Sequence, residues 1–260
     1  MSIVALGLPQ EYTAPGPEEF WQPLIGQGTW AVTRPALLMV LSVILLSVWL
    51  LVTTRKKAVV PSRSQMATEA VYGLVRNGVA RDLIGSKEFL RFVPLLFTMF
   101  TLILANNLFG VIPPMSYPTM SRIAFPIVLA LIVWIIFHVV GMRKHGFFGY
   151  WKSLVPAGLP VGMIIPIFFL ELITDLFTRP VTLALRLFGN MFAGHILLVL
   201  FISGGWYLLT SGGILSVAGG VTWVFGVVMT LFENLVEFLQ AYVFTLLAAL
   251  YIAGAVADEH

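Results

Sequence analysis

The chain has 260 residues, of which 59% are hydrophobic and only 10% charged. A soluble domain needs about a quarter of its residues charged to cover its exterior, so this composition predicts a membrane protein. The net charge of +3 is small and its basic residues fall between apolar runs, which argues against nucleic acid as a partner. Zero cysteines exclude disulfides, thiolate metal sites and iron–sulfur ligation.

Residues 1–30 read as a polar, Pro-rich leader with no basic stretch or cleavage site of a signal peptide. The following residues, 31–260, read as a single membrane domain. Its first span, about 35–54, is long enough to cross about 30 Å of hydrocarbon as a helix. Glu11, Glu18 and Glu19 precede it, and Arg55, Lys56, Lys57 and Arg63 follow it. Basic residues favour the inner face, so the N-terminus is expected outside.

From Pro61 to Arg91, Met66, Ala70, Leu74, Val79 and Leu83 recur at roughly helical spacing with Arg76, Arg81 and Lys87 between them. This pattern predicts an amphipathic interfacial helix on the inner side; a solvated loop helix would read the same way. A second span, about 92–112, ends where Pro113 and Pro114 would stop a helix on the outer side. A third, about 123–142, returns inward to Arg143, Lys144 and His145.

The rest of the chain carries ionisable groups inside its apolar segments. Two long helices are expected, about 161–202 and 221–257, joined by a Gly-rich turn over 204–220. The first exceeds the hydrocarbon thickness about twofold, so it must tilt steeply or bend near Pro166 or Pro180. Together they predict a long, tilted C-terminal helical hairpin, and the whole reads as an all-α membrane protein. Each charge near the bilayer centre costs about 2.5–3.5 kcal/mol, so these groups must face protein, water or one another. They mark an ion path or a set of structural ion pairs.

Spacing divides them. Arg179 and Arg186 lie within about 20° of one another on a helix, with Asn190 one turn beyond on the same side. His195 is about 180° round from Arg186 and about 13 Å along the axis. On the last helix Glu233, Glu237 and Gln240 stand at i, i+4 and i+7, a second stripe able to meet the first. A guanidinium cannot relay a proton by losing its own, so Arg186 suits a gate, whereas His195 and Glu233 can exchange protons.

The segments RPVTLALRLFGNMFAGHILL (179–198) and FENLVEFLQAYVFTLLAALY (232–251), with NNLFGVIP at 106–113, resemble subunit a of the rotary proton-translocating ATP synthase. The resemblance covers the chain from about residue 30 to the end. It implies a stator subunit of the membrane sector, with two offset proton half-channels. Arg186 would gate transfer to and from the rotor-ring carboxylates, with Asn190 beside it and Gln240 across from it. His195 and Glu233 would share one proton site on the inlet side. Asn107 would line the outer half-channel, although a capping or helix-packing amide accounts for it equally, and Glu171 and Asp175 would line the outlet. Glu237 receives no role.

The resemblance further implies a ring of small two-helix subunits and a peripheral stalk as partners, no cofactor or metal, and a multi-pass place in a bacterial plasma membrane with the C-terminus cytoplasmic; a mitochondrial inner membrane is the alternative. The sequence offers no phosphate-binding GxxxxGK[ST] loop, so ATP chemistry is expected on partner subunits and the chain is not expected to be catalytic alone. The rival reading is a self-contained proton-coupled transporter or channel, which would be expected to carry matching halves; residues 30–145 do not mirror the polar C-terminal helices.

Overall fold

The computed structural model describes residues 12, 16, 23–25, 32–55, 61–112, 117–155 and 160–257. A short antiparallel pair, β1 (Pro23–Ile25) and β2 (Val32–Thr33), leads into α1 (Arg34–Thr54). Pro35 stands in the first turn of α1, where its missing N–H would have had no helical partner. Most of the expected leader, with Glu11, Glu18 and Glu19, lies outside the described residues, as do Lys56, Lys57, Pro113 and Pro114.

The Ser62 side chain caps α2 (Arg63–Val75) by accepting from the Gln65 N–H. Thr68 of α2 donates to Thr53 of α1 at 3.2 Å. The helix widens into a π turn at Arg76–Arg81, continues as α3 (Asp82–Ile84) and ends at Gly85, whose φ of 89° suits glycine. The inward face is not the whole stripe expected from the sequence: Thr68, Val75, Val79 and Ala80 are buried while Met66 and Ala70 are exposed.

Helix α4 (Phe89–Leu108) ends before the expected proline stop, and α5 (Ala124–His145) closes at Gly146 with φ 74°. The short α6 (Phe147–Ser153) then folds back on α5. Tyr150 of α6 lies so close to Gly141 that any side chain at 141 would overlap its ring.

Residues 161–210 are helical throughout: α7 (Val161–Ile173), a π turn at Thr174–Thr178, and α8 (Arg179–Thr210). The π turn falls just before Pro180, which has no N–H to give the preceding turn and whose ring crowds it; widening relieves both. Helix α9 (Ile214–Val256) runs back for 43 residues, about 64 Å. The connecting turn is only 211–213, with Gly212 and Gly213 at positive φ, and is much shorter than expected. Gly205 and Gly219 lie inside the helices and let the two backbones touch. A Cβ at Gly205 would stand 3.0 Å from the Trp223 nitrogen, and one at Gly219 only 2.7 Å from the Leu208 carbonyl carbon.

Among the described residues, five helical segments are long and apolar enough to cross a membrane: Arg34–Thr54, Phe89–Leu108, Ala124–His145, Gly162–Thr210 and Ile214–Val256. The chain is an all-α membrane protein with a long C-terminal helical hairpin. Its core gathers Leu96 and Phe100 of α4, Val133 and Phe137 of α5, Leu187 and Met191 of α8, and Phe244 and Ala248 of α9. This core fixes the hairpin against α4 and α5, and Asp175, His195, Glu233, Glu237 and Gln240 are the polar groups of the hairpin that are buried with it.

Candidate functional site

The antiparallel register of α8 and α9 decides which polar groups meet. Asn190 donates from Nδ2 to Oε1 of Gln240 at 2.7 Å, joining the two stripes expected from the sequence. One turn outward, Glu233 packs against Gly194, where a Cβ would come within 2.6 Å of the carboxyl Oε1. Gly194 thus leaves room for the Glu233 carboxyl against α8, and a side chain there would displace it. His195 and Glu233 are both buried, at 4% and 6% exposure.

Next to them lies a cavity of about 350 Å³, lined by Gly110, His195, Leu198, Ser203 and Thr230 among others. Asn107 is close by but its amide is already engaged, donating to the Glu237 backbone carbonyl at 3.2 Å and so tying α4 to α9. Its neighbour Asn106 donates to Ser42 at 2.8 Å and ties α4 to α1.

Arg186 is on the other side of α8, exposed among Val181, Leu185 and other outward apolar residues. Among the described residues it forms no ion pair. Arg179, expected on the same stripe, has a different fate: it pairs with Asp175 one turn back, and its guanidinium carbon lies 5.2 Å over the Tyr251 ring.

Asp175 is fully buried and heavily partnered. Tyr150 donates its hydroxyl to Oδ2 at 3.0 Å, and His138 Nε2 lies 3.2 Å from the same oxygen. The other ring nitrogen of His138 faces the Trp134 carbonyl at 2.9 Å, and the Trp134 indole donates to the Asp175 backbone carbonyl at 3.2 Å. Burial and the neighbouring Asp175 carboxylate push the Tyr150 phenol well above its ordinary range, so it keeps its proton and remains a donor. Glu171, one turn before Asp175, is half-buried beside a cavity of about 150 Å³ lined also by Arg179, Tyr150, Ser153 and Tyr251.

The geometry thus joins Asn190 to Gln240 and Asp175 to Arg179, sets Glu233 against Gly194 next to His195 in sequence, and leaves Arg186 between the levels of His195 and Asp175. At 1.5 Å per residue Arg186 lies about 16 Å from Asp175 and about 13 Å from His195 along the helix. Sequence reasoning missed His138 and Tyr150. The signal for His138 was an ionisable residue inside an otherwise apolar span; Tyr150 carried none.

These features define a multi-pass membrane protein with several ionisable groups inside one helical hairpin, where the exposed Arg186 stands between two buried polar clusters. The family model described as ATP synthase A chain matches residues 36–253. The chain is 46% identical over 272 residues to the ATP synthase subunit a of a Nocardioides species, an alignment covering 100% of this chain and 98% of that one. It is 41% identical to that of Pseudarthrobacter chlorophenolicus, covering 99% and 100%, and 39% identical to that of Streptomyces lividans, covering 96% and 89%. The chain belongs to the ATP synthase A chain family.

Proposed function

We propose that this chain is the stationary subunit of the membrane sector of a proton-translocating ATP synthase, and that Arg186 gates proton transfer to and from carboxylates on a rotor ring. The observation that carries this reading is Arg186 itself, a permanent cation on an apolar helix face with no counter-charge among the described residues. Such a charge facing lipid costs about 2.5–3.5 kcal/mol, so an acidic partner from another subunit is its natural cover.

A proton enters from the outer side through the cavity beside His195, reaches Glu233, and passes by Gln240 and Asn190 to neutralise a ring carboxylate. The neutral carboxyl can then face lipid. After the ring has turned, the carboxyl meets the inner cavity beside Glu171, where Arg186 favours the ionised form and the proton departs. Asp175, with Arg179 and Tyr150, shapes the wall of this inner path. Asn107 serves the outer path by holding α4 against α9. The guanidinium also keeps the two aqueous paths from joining, so protons cross only with rotation. A membrane potential supplies about 2.3 kcal/mol per charge per 100 mV to drive the steps.

In this reading the partners are a ring of small two-helix subunits and a peripheral stalk meeting α1 and α2, and ATP chemistry belongs to other subunits. The clustering of Arg76, Arg81, Arg143 and Lys152 at one end of the spans supports a bacterial plasma membrane orientation with the N-terminus outside and the C-terminus cytoplasmic. Arg186→Ala in the assembled complex tests the proposal. The expected result is an intact complex whose ATP-driven proton pumping into inverted vesicles falls to background. Failure to assemble would instead make Arg186 a structural residue, and solute uptake by the isolated chain in liposomes would make the protein a transporter.

A further inference from the structure

Glu237 is the one acid of the hairpin that the mechanism above does not use. It is 1% exposed, and neither carboxyl oxygen has a hydrogen-bond partner. Oδ1 of Asn107 and Nε2 of Gln240, its neighbours on α4 and α9, are likewise buried without partners. Burying a carboxyl with no donor is strongly unfavourable, and a leucine of similar size would fill the space without that cost. Packing therefore does not account for an acid here.

Its position does. On α9 it lies one turn inward of Glu233 and one turn outward of Gln240, about 6 Å and 4.5 Å along the axis. Those two residues meet Gly194 and Asn190 of α8, so Glu237 falls between the level of His195 and the level of Arg186. On the α4 side its Oε1 approaches Gly110, where a Cβ would stand 3.3 Å away, and Gly110 is also a wall of the outer cavity. Gly110 therefore borders both the carboxyl and the cavity, with Pro118 packed at the same point.

We infer that Glu237 is a proton-carrying residue of the outer path, a second carboxyl between Glu233 and the ring. This rests on the functional reading above. Along the path the ionisable groups are Glu233 on its own helix and His195 on α8; Asn107 of α4 and Gly110 of the turn after it pack against Glu237. In each transfer one O–H bond breaks and one forms as the proton moves from Glu233 to Glu237 and onward past Gln240, with no change of oxidation state.

The test uses the assembled ATP synthase in vesicles carrying Glu237→Gln, Glu237→Asp or Glu233→Gln. Glu237→Gln is expected to slow ATP-driven proton pumping at least about tenfold and to change its pH profile, with the ring still co-purifying, whereas Glu237→Asp restores most of the rate. Pumping by Glu237→Gln at the unsubstituted rate, while Glu233→Gln is impaired, would overturn the inference and leave the outer path standing. If Glu233→Gln also pumps normally, the outer path itself falls and this inference with it. Should Glu237→Gln fail to assemble, Glu237→Met decides: an assembled complex that pumps normally sinks the idea, and one that assembles but does not pump sustains it.

Discussion

Tyr150 and Asp175 illustrate how a buried acid is held without being exposed to lipid. The carboxylate has a hydroxyl, a guanidinium and an imidazole around it, and a hydrogen bond to a charged acceptor contributes about 1.5–3 kcal/mol. Tyr150→Phe should lower the unfolding free energy of the detergent-solubilised protein by about that amount, measured by denaturant titration. The pH dependence has a definite sign. The folded-state pKa of Tyr150 is raised from 10.0 and that of Tyr117 is pushed up to about 12, each mainly by burial. Their contribution is complete below pH 10 and is lost as pH rises through the folded values. The melting temperature should therefore fall above pH 10, and Tyr150→Phe should flatten that fall. Arg186 and His195 on α8, and Glu233 and Gln240 on α9, stood out in the sequence because polar groups in an apolar segment are conspicuous. The surroundings of Asp175 did not, since α6 brings in Tyr150 across 25 positions of sequence and only folding reveals that meeting.

At the scale of the helices, the first three apolar runs coincide with helices to within four residues at each end, since an unbroken apolar run of membrane length has few other uses. The turn between the long helices was not legible in this way. Its glycines suggested a broad loop over 204–220, yet Gly205 and Gly219 are helical and serve close packing, while Gly212 and Gly213 alone make the turn. Glycine in a membrane helix signals approach as often as interruption. Gly219→Val should push the Leu208 and Leu209 backbone away and cost about 1–3 kcal/mol. The measurement is thermal unfolding of the purified complex, with Gly220→Val as the control, because a Cβ there comes no nearer than 4.0 Å to its nearest neighbour.

Over the whole molecule, large apolar residues face outward on every long helix, among them Val40 and Leu51 on α1, Val128 on α5 and Val224 and Leu231 on α9. This is the expected exterior of a protein solvated by lipid on most sides. The absence of native cysteine makes orientation directly measurable. In inverted membranes Ser86→Cys should react with a membrane-impermeant maleimide, and Thr210→Cys should react only after the vesicles are opened; the opposite pattern would reverse the two half-channels. The π turn at Thr174–Thr178 has a consequence of its own. One surplus residue in a helix is a phase shift of about 100°. Losing a single codon there would let the strand of helix before it swing round by that angle, carrying Glu171 off the inner cavity wall while Arg186 stayed in place. A protein that tolerates many exchanges of one apolar side chain for another should tolerate no change of length at this joint.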